Sequence, residues 1–238
     1  MESPHSGNPT EIKDRLIGSQ IWSEEFYKKK GEDILLLILN IFEDLGITPS
    51  FKKIEAVLEN PECDLLKGRD IKNPEVLAKH EKFKSNYKQD AKNYAGIASD
   101  ISLFSSPHFG KLFECEKGHG IDLLDAYFNS KIIYFHLPVL ALEETAKRIG
   151  RMVIHDLKTV VSYVQNFTIN SQRRTFPVFI DEFGSFAAES FIEFLNKARS
   201  AMVPITVLHQ SMGDIESVSE NFARQLFENT NVKIVLRI

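Results

Sequence analysis

Cysteine is nearly missing from this 238-residue chain: Cys63 and Cys115 are its two examples, and no CxxC pair occurs. That argues against a disulfide framework or a cysteine-built zinc cluster and fits a reducing, cytosolic setting. Long apolar runs are missing too. The stretch Ile34 to Ile41 is interrupted by Asn40 and falls well short of the eighteen or so residues that a membrane helix needs. There is no surplus of positive charge, since 29 basic side chains face 33 acidic ones for a net charge of -4. No global basic field therefore draws the chain onto nucleic acid, and any such binding must use a local patch or an assembled ring. The opening residues, Met1 to Pro9, contain no apolar signal core and read as a solvated lead-in. Internal repeats and low-complexity tracts are absent.

What is present is a real core, at 43% hydrophobic residues, and two successive kinds of periodicity. From about Thr10 to Glu59 the pattern is helical. Ile34, Leu35, Leu37, Ile38, Ile41 and Leu45 form an apolar stripe, with Gly46 as its C-cap. Pro49-Ser50 opens a short helix through Ile54, Val57 and Leu58, and Leu65 to Asn73 reads as a loop. Pro74 starts a polar helix expected to continue towards Leu103. Within it, Lys79 to Lys92 holds five lysines against two acids, interleaved with Phe83, Tyr87 and Tyr94. Lysines with aromatics can track a nucleic-acid backbone and stack bases. The same spacing fits a solvated helix face whose aromatics point into the core, and spacing alone favours that reading. His108, Cys115 and His119 are possible metal-ligand types, but their spacing resembles no regular zinc pattern.

After Lys131 the character changes. Lys131 to Leu137 is strand-like, and a helix is expected from Glu143 to Gln165. The apolar run Val178-Phe179-Ile180 then leads into Asp181-Glu182-Phe183-Gly184. Such a run reads as a strand buried on both faces, with its carboxylates at the carboxyl end, where open α/β sheets bind ligands. A helix from about Ala187 to Arg199, a strand from Pro204 to Leu208 ending at His209-Gln210-Ser211, a further helix from about Ile215 to Phe227 and a last strand from Val232 to Leu236 complete the reading. This alternation predicts a parallel sheet with crossover helices, an α/β architecture. In phosphoryl-transfer machines a strand-end acid holds magnesium and a glutamine orients water or senses the γ-phosphate. Asp181, Glu182 and Gln210 suit those jobs, though the two acids by themselves suit equally a plain acidic turn after a core strand. Gln210 suits equally a strand-end capping role, and Arg199 suits a helix-terminal cation, which its position alone favours over an arginine finger.

Val178 to Phe186, Phe191 to Ala201, His209-Gln210-Ser211 and Glu228-Asn229-Thr230-Asn231 together resemble the coupling-protein ATPases of bacterial conjugation and type IV secretion, the TraD/TraG/VirD4 class. The resemblance is strongest from about Lys131 onward. It implies a partial RecA-like P-loop NTPase core over residues 126–238, after a lead-in (1–13) and an all-helical domain (14–125). By that likeness Asp181 is the Walker B magnesium acid, Glu182 the catalytic glutamate, Arg199 the arginine finger and Gln210 the sensor glutamine, with ATP and Mg²⁺ as cofactors. It further implies a homo-hexamer at the cytoplasmic face of the bacterial inner membrane, handling relaxase-bound single-stranded DNA or protein for a type IV secretion channel. One departure stands out. The sequence contains no GxxxxGK[ST]; Gly110-Lys111 is followed by Leu112. The expectation is thus a motor fragment that hydrolyses no ATP by itself. The alternative is a non-enzymatic module that binds DNA or transfer-complex proteins through its helical domain.

Overall fold

The computed structural model describes residues 7–22, 24–106, 110–113 and 120–236. It divides into two compact units, Met1–Asp122 and Leu123–Ile238. His108, Cys115 and His119 lie outside the described residues.

The first unit is helical. Helix α1 (Pro9–Gly18) begins with a reciprocal cap in which Asn8 and Glu11 bond each other's backbone N–H, and Pro9 takes the first helical position. It packs on α2 (Glu25–Asp44), whose stripe from Ile34 to Phe42 is the centre of this core. The chain leaves α2 through Gly46 at φ +64°, a left-handed conformation that glycine adopts without strain. Helix α3 (Phe51–Glu59) turns Phe51, Ile54, Val57 and Leu58 inward. Helix α4 (Pro74–Asp90) starts on an Asn73 cap, as the Asn-Pro pair predicts.

The long helix expected from Pro74 to Leu103 is in fact broken. α4 stops at Asp90, a 3-10 turn spans Ala91–Tyr94, and α5 (Ala95–Ser105) continues against α3. The break lets Tyr94 meet Phe83, ring centroids 5.8 Å apart, while Tyr87 packs on Phe83 at 5.7 Å. Phe83 is buried, and the Tyr87 hydroxyl donates to the carbonyls of Leu58 and Glu59. The aromatics among the lysines therefore belong to the core, and only Lys79, Lys82, Lys88 and Lys92 remain as an exposed basic face there. A short helix, α6 (Gly110–Phe113), adds Phe113 to a ring cluster with Phe51 and Phe104.

The second unit opens with α7 (Leu123–Asn129) and includes the 25-residue α8 (Glu143–Phe167), which buries Ala146, Val153, Leu157, Val160 and Val164. Strands β1 (Val178–Ile180) and β2 (Ile205–Val207) pair in parallel, with Phe179 opposite Thr206. Helix α9 (Ser190–Ala198) connects them and buries Phe191, Ile192, Phe194 and Ala198. Helices α10 (Met212–Glu216) and α11 (Glu220–Asn229) follow.

Three strand expectations change. Lys131 to Leu137 and Val232 to Leu236 form no strand, and Val235 is 93% exposed. β1 is not buried on both faces: Phe179 is 71% exposed, while Val178 and Ile180 are half-buried. Apolar, β-branched composition reports that a segment tolerates a pleated, half-buried surface, but a strand also needs a neighbour to complete its ladder, which the first two segments lack among the described residues. β1 has that neighbour in β2, yet its Phe179 face stays open to solvent.

Tyr127 ties α7 to the strand layer. It is fully buried, its hydroxyl donates to the Ala201 carbonyl at 2.9 Å, and it accepts from the Arg174 backbone N–H at 3.0 Å. Tyr127→Phe leaves both backbone groups without that partner, so a loss of about 1–3 kcal/mol is expected in denaturant unfolding. A change below about 0.3 kcal/mol would mean that water takes over both bonds.

Candidate functional site

The two strand tips are clamped to each other beyond the regular ladder. Leu208 N–H donates to the Ile180 carbonyl at 2.9 Å, and Phe183 N–H donates to the Leu208 carbonyl at 2.8 Å. Between those bonds, Asp181 and Glu182 are pushed outward as an exposed two-residue turn. The Glu182 N–H donates to Asp181 Oδ1 at 2.9 Å. Glu182 has φ +49° and ψ +41°, the left-handed region, which costs a residue with a Cβ about 1–2 kcal/mol. Strain of this kind persists only where its surroundings enforce it, and it concentrates at functional positions.

The enforcing group is Phe183. It is fully buried, with its ring 4.5 Å from that of Phe191 and 6.4 Å, nearly parallel, from that of Phe222. Beyond it, Gly184 allows a close approach: a Cβ there would lie 2.8 Å from Asp214 Cβ. That approach sets α10 against the carboxylate turn. The segment before α10 carries His209 and Gln210, both exposed. Its shape is held by the Ser211 hydroxyl, which accepts from Gly213 N–H at 3.0 Å, and by the 3.1 Å contact of His209 Nδ1 with the Ser211 carbonyl. The cap of α11 is tied back as well, since the Ser219 hydroxyl donates to Glu189.

Asp181, Glu182 and Gln210 thus share the carboxyl edge of the strand pair. Arg199 does not. It is exposed and opens the 3-10 turn Arg199–Ala201 after α9. That turn feeds the amino ends of the strands, where Phe176 N–H donates to the Met202 carbonyl and Val178 N–H to the Pro204 carbonyl. Parallel strands place this end a strand length away from the acids. Within one chain Arg199 is a helix-terminal cation, and any partnership with the acids would have to come from a neighbouring copy.

The edge offers oxygen donors, as a hard cation requires. Among the described residues no group of three or more His, Cys, Asp or Glu side chains is arranged to hold a metal ion. That is compatible with magnesium, which is commonly held by one or two carboxylates together with waters and substrate phosphates. The fit to a nucleotide is partial, because the sequence supplies no glycine-rich phosphate loop.

Sequence reasoning missed Phe183 as the anchor, the left-handed Glu182 and the approach of Asp214. The Phe after the acids was a visible signal for the first. The other two depend on residues distant in sequence, Leu208 bonding Phe183 and Asp214 meeting Gly184, and nothing local encodes them.

The strand–helix–strand unit with its acidic turn and polar second tip defines a parallel α/β segment with a ligand-facing edge. Residues 175–238 match a family model described as the TraM recognition site of TraD and TraG. This stretch, which contains the whole acidic edge, is a region of the TraD/TraG class of conjugation coupling proteins. No curated protein and no solved structure matches the chain.

Proposed function

We propose that the chain is part of a coupling-protein ATPase that links DNA or protein cargo to a conjugation or type IV secretion channel. The supporting observation is the clamped pair of strand tips, which gathers Asp181, Glu182 and Gln210 at one edge of a TraD/TraG-class segment. In this reading the α/β unit is part of a RecA-like motor core. Asp181 helps to hold Mg²⁺, Glu182 orients and deprotonates the attacking water, and Gln210 reports on the γ-phosphate. Bound Mg·ATP supplies the phosphoryl group and the charge that Mg²⁺ neutralises. Arg199, at the far end of the strands, serves the neighbouring subunit's nucleotide in a ring. Such a ring, which we propose is a homo-hexamer, works at the cytoplasmic face of the inner membrane. No helix among the described residues is long and apolar enough to cross a membrane.

The phosphate loop must then come from outside these 238 residues. The purified chain alone is expected to show negligible Mg²⁺-dependent ATP turnover. Robust turnover that disappears in Glu182→Gln would overturn the claim that its catalytic machinery is incomplete.

A second reading is favoured by the description of the matched region as a recognition site. In it, the α/β unit binds a partner protein of the transfer complex and performs no chemistry. The exposed segment from Val232 to Leu236, apolar except for Lys233, suits such a contact. The helical unit adds to this module through its lysine face, by charge alone, because Phe83, Tyr87 and Tyr94 are committed to the core.

A further inference from the structure

Three aromatics of the second unit meet at the end of α8. Phe128 on α7 meets Tyr163 on α8 with ring centroids 6.3 Å apart, and Tyr163 meets Phe167, one turn later, at 5.0 Å. Tyr163 is 42% and Phe167 73% exposed, so both rings are open to solvent instead of filling a core. They line an open depression of about 590 Å³, completed by Gln172, Arg173 and Arg174 from the loop that follows α8. That volume lies within the range of small-molecule and nucleotide sites, roughly 300–1,000 Å³. Both charged residues in the lining are arginines; no carboxylate lines it.

The two arginines have different jobs. Arg173 is locked, donating to the carbonyls of Ser200 at 2.7 Å, Thr168 at 3.1 Å and Gln165 at 3.4 Å. It builds the wall and satisfies carbonyls at the end of α8. Arg174 is exposed, and its guanidinium makes a 3.5 Å contact to the Ser130 hydroxyl. It keeps donors for an incoming anion. Exposed rings beside such a guanidinium suit a planar group that carries a nearby negative charge, and single-stranded nucleic acid repeats that combination along its length.

We propose that this depression binds single-stranded nucleic acid, with Phe167 and Tyr163 stacking bases and Arg174 holding a phosphate. It deepens the DNA-handling side of the function proposed above, and moves the aromatic contact from the α4 lysine segment to the end of α8. An acidic peptide would find the guanidinium but would leave most of the ring surface unused.

The test is fluorescence anisotropy of labelled dT20 against the full 238-residue chain at 50 mM salt. Phe167→Ala is expected to weaken binding roughly 5- to 150-fold, as loss of one stacked base implies, and Phe167→Trp to restore it. An abasic 20-mer keeps the phosphates without the bases. It is expected to bind the unaltered chain more weakly and to be indifferent to Phe167→Ala. Arg174→Ala is expected to lower the salt slope by about one. Equal dT20 affinity in Phe167→Ala would overturn the site. So would binding that responds only to charge reversal of Lys79, Lys82, Lys88 and Lys92. Absence of dT20 binding would overturn it too, and would leave the hydrolytic edge to its own ATP test. Saturable binding of a polyglutamate peptide without dT20 binding would assign the depression to a protein partner instead.

Discussion

Phe183→Ala is expected to destabilise the second unit by about 3–5 kcal/mol, the usual cost of truncating a buried phenylalanine to alanine. The ring is fully buried between Phe191 and Phe222, so few of its contacts can be replaced by relaxation. With unit stabilities commonly of about 5–15 kcal/mol, this removes a large share of the total. Guanidinium unfolding of the whole chain, followed by circular dichroism, reads it out. The same change frees the turn that holds Glu182 left-handed, because the Phe183 N–H bond to Leu208 is held in place by that ring. Phe183→Leu keeps an apolar anchor and is expected to cost less than half as much. A loss below about 1 kcal/mol in Phe183→Ala would mean that the clamp rests on the backbone bonds and not on the ring.

That anchor shows where sequence legibility ends. The helices were readable because their cause is local. The stripe from Ile34 to Ile41 repeats at helical spacing, the Asn73-Pro74 pair supplies both a cap and a first helical residue, and α8 keeps one apolar face from Ala146 to Val164. The break at Asp90 was not readable, since it exists to bring Tyr94 onto Phe83. Lys131 to Leu137 and Val232 to Leu236 have strand composition, but pairing is decided by a distant neighbour and not by the segment itself. Phe179 is the sharpest case. Its run reads as doubly buried, yet one face of β1 meets solvent.

The candidate site divides in the same way. An apolar run that turns abruptly into Asp181-Glu182 marks the strand end, and two parallel strands joined by one helix put Gln210 at the same edge as those acids. Both features follow from the order of residues along the chain. The opposite placement of Arg199 follows from the same topology, because a helix connecting parallel strands delivers its C-terminus to their starting ends. The approach of Asp214 to Gly184 does not, for it depends on how α10 packs. The depression at Phe128, Tyr163 and Phe167 was equally hidden: its rings come from two helices and fit a helical stripe as well as a binding surface.

The other large effect falls on Glu182. Its side chain is exposed beside Asp181 at the strand tip, and the left-handed backbone projects it from the edge. A glutamine there keeps size and hydrogen bonding but cannot take a proton from water. Where a carboxylate serves as general base, its removal typically costs about 10²–10⁴-fold in rate. An exposed acidic turn with no chemistry to perform would lose nothing, and stability would barely change. Glu216, exposed on α10 nearby, provides the control. The measurement is the frequency of DNA transfer from donor cells that carry the native gene with Glu182→Gln or Glu216→Gln. Expected is a fall of roughly a hundredfold or more for Glu182→Gln, at normal protein levels, with Glu216→Gln unaffected. Transfer by Glu182→Gln donors at the unaltered frequency would contradict the assignment of this edge to ATP hydrolysis.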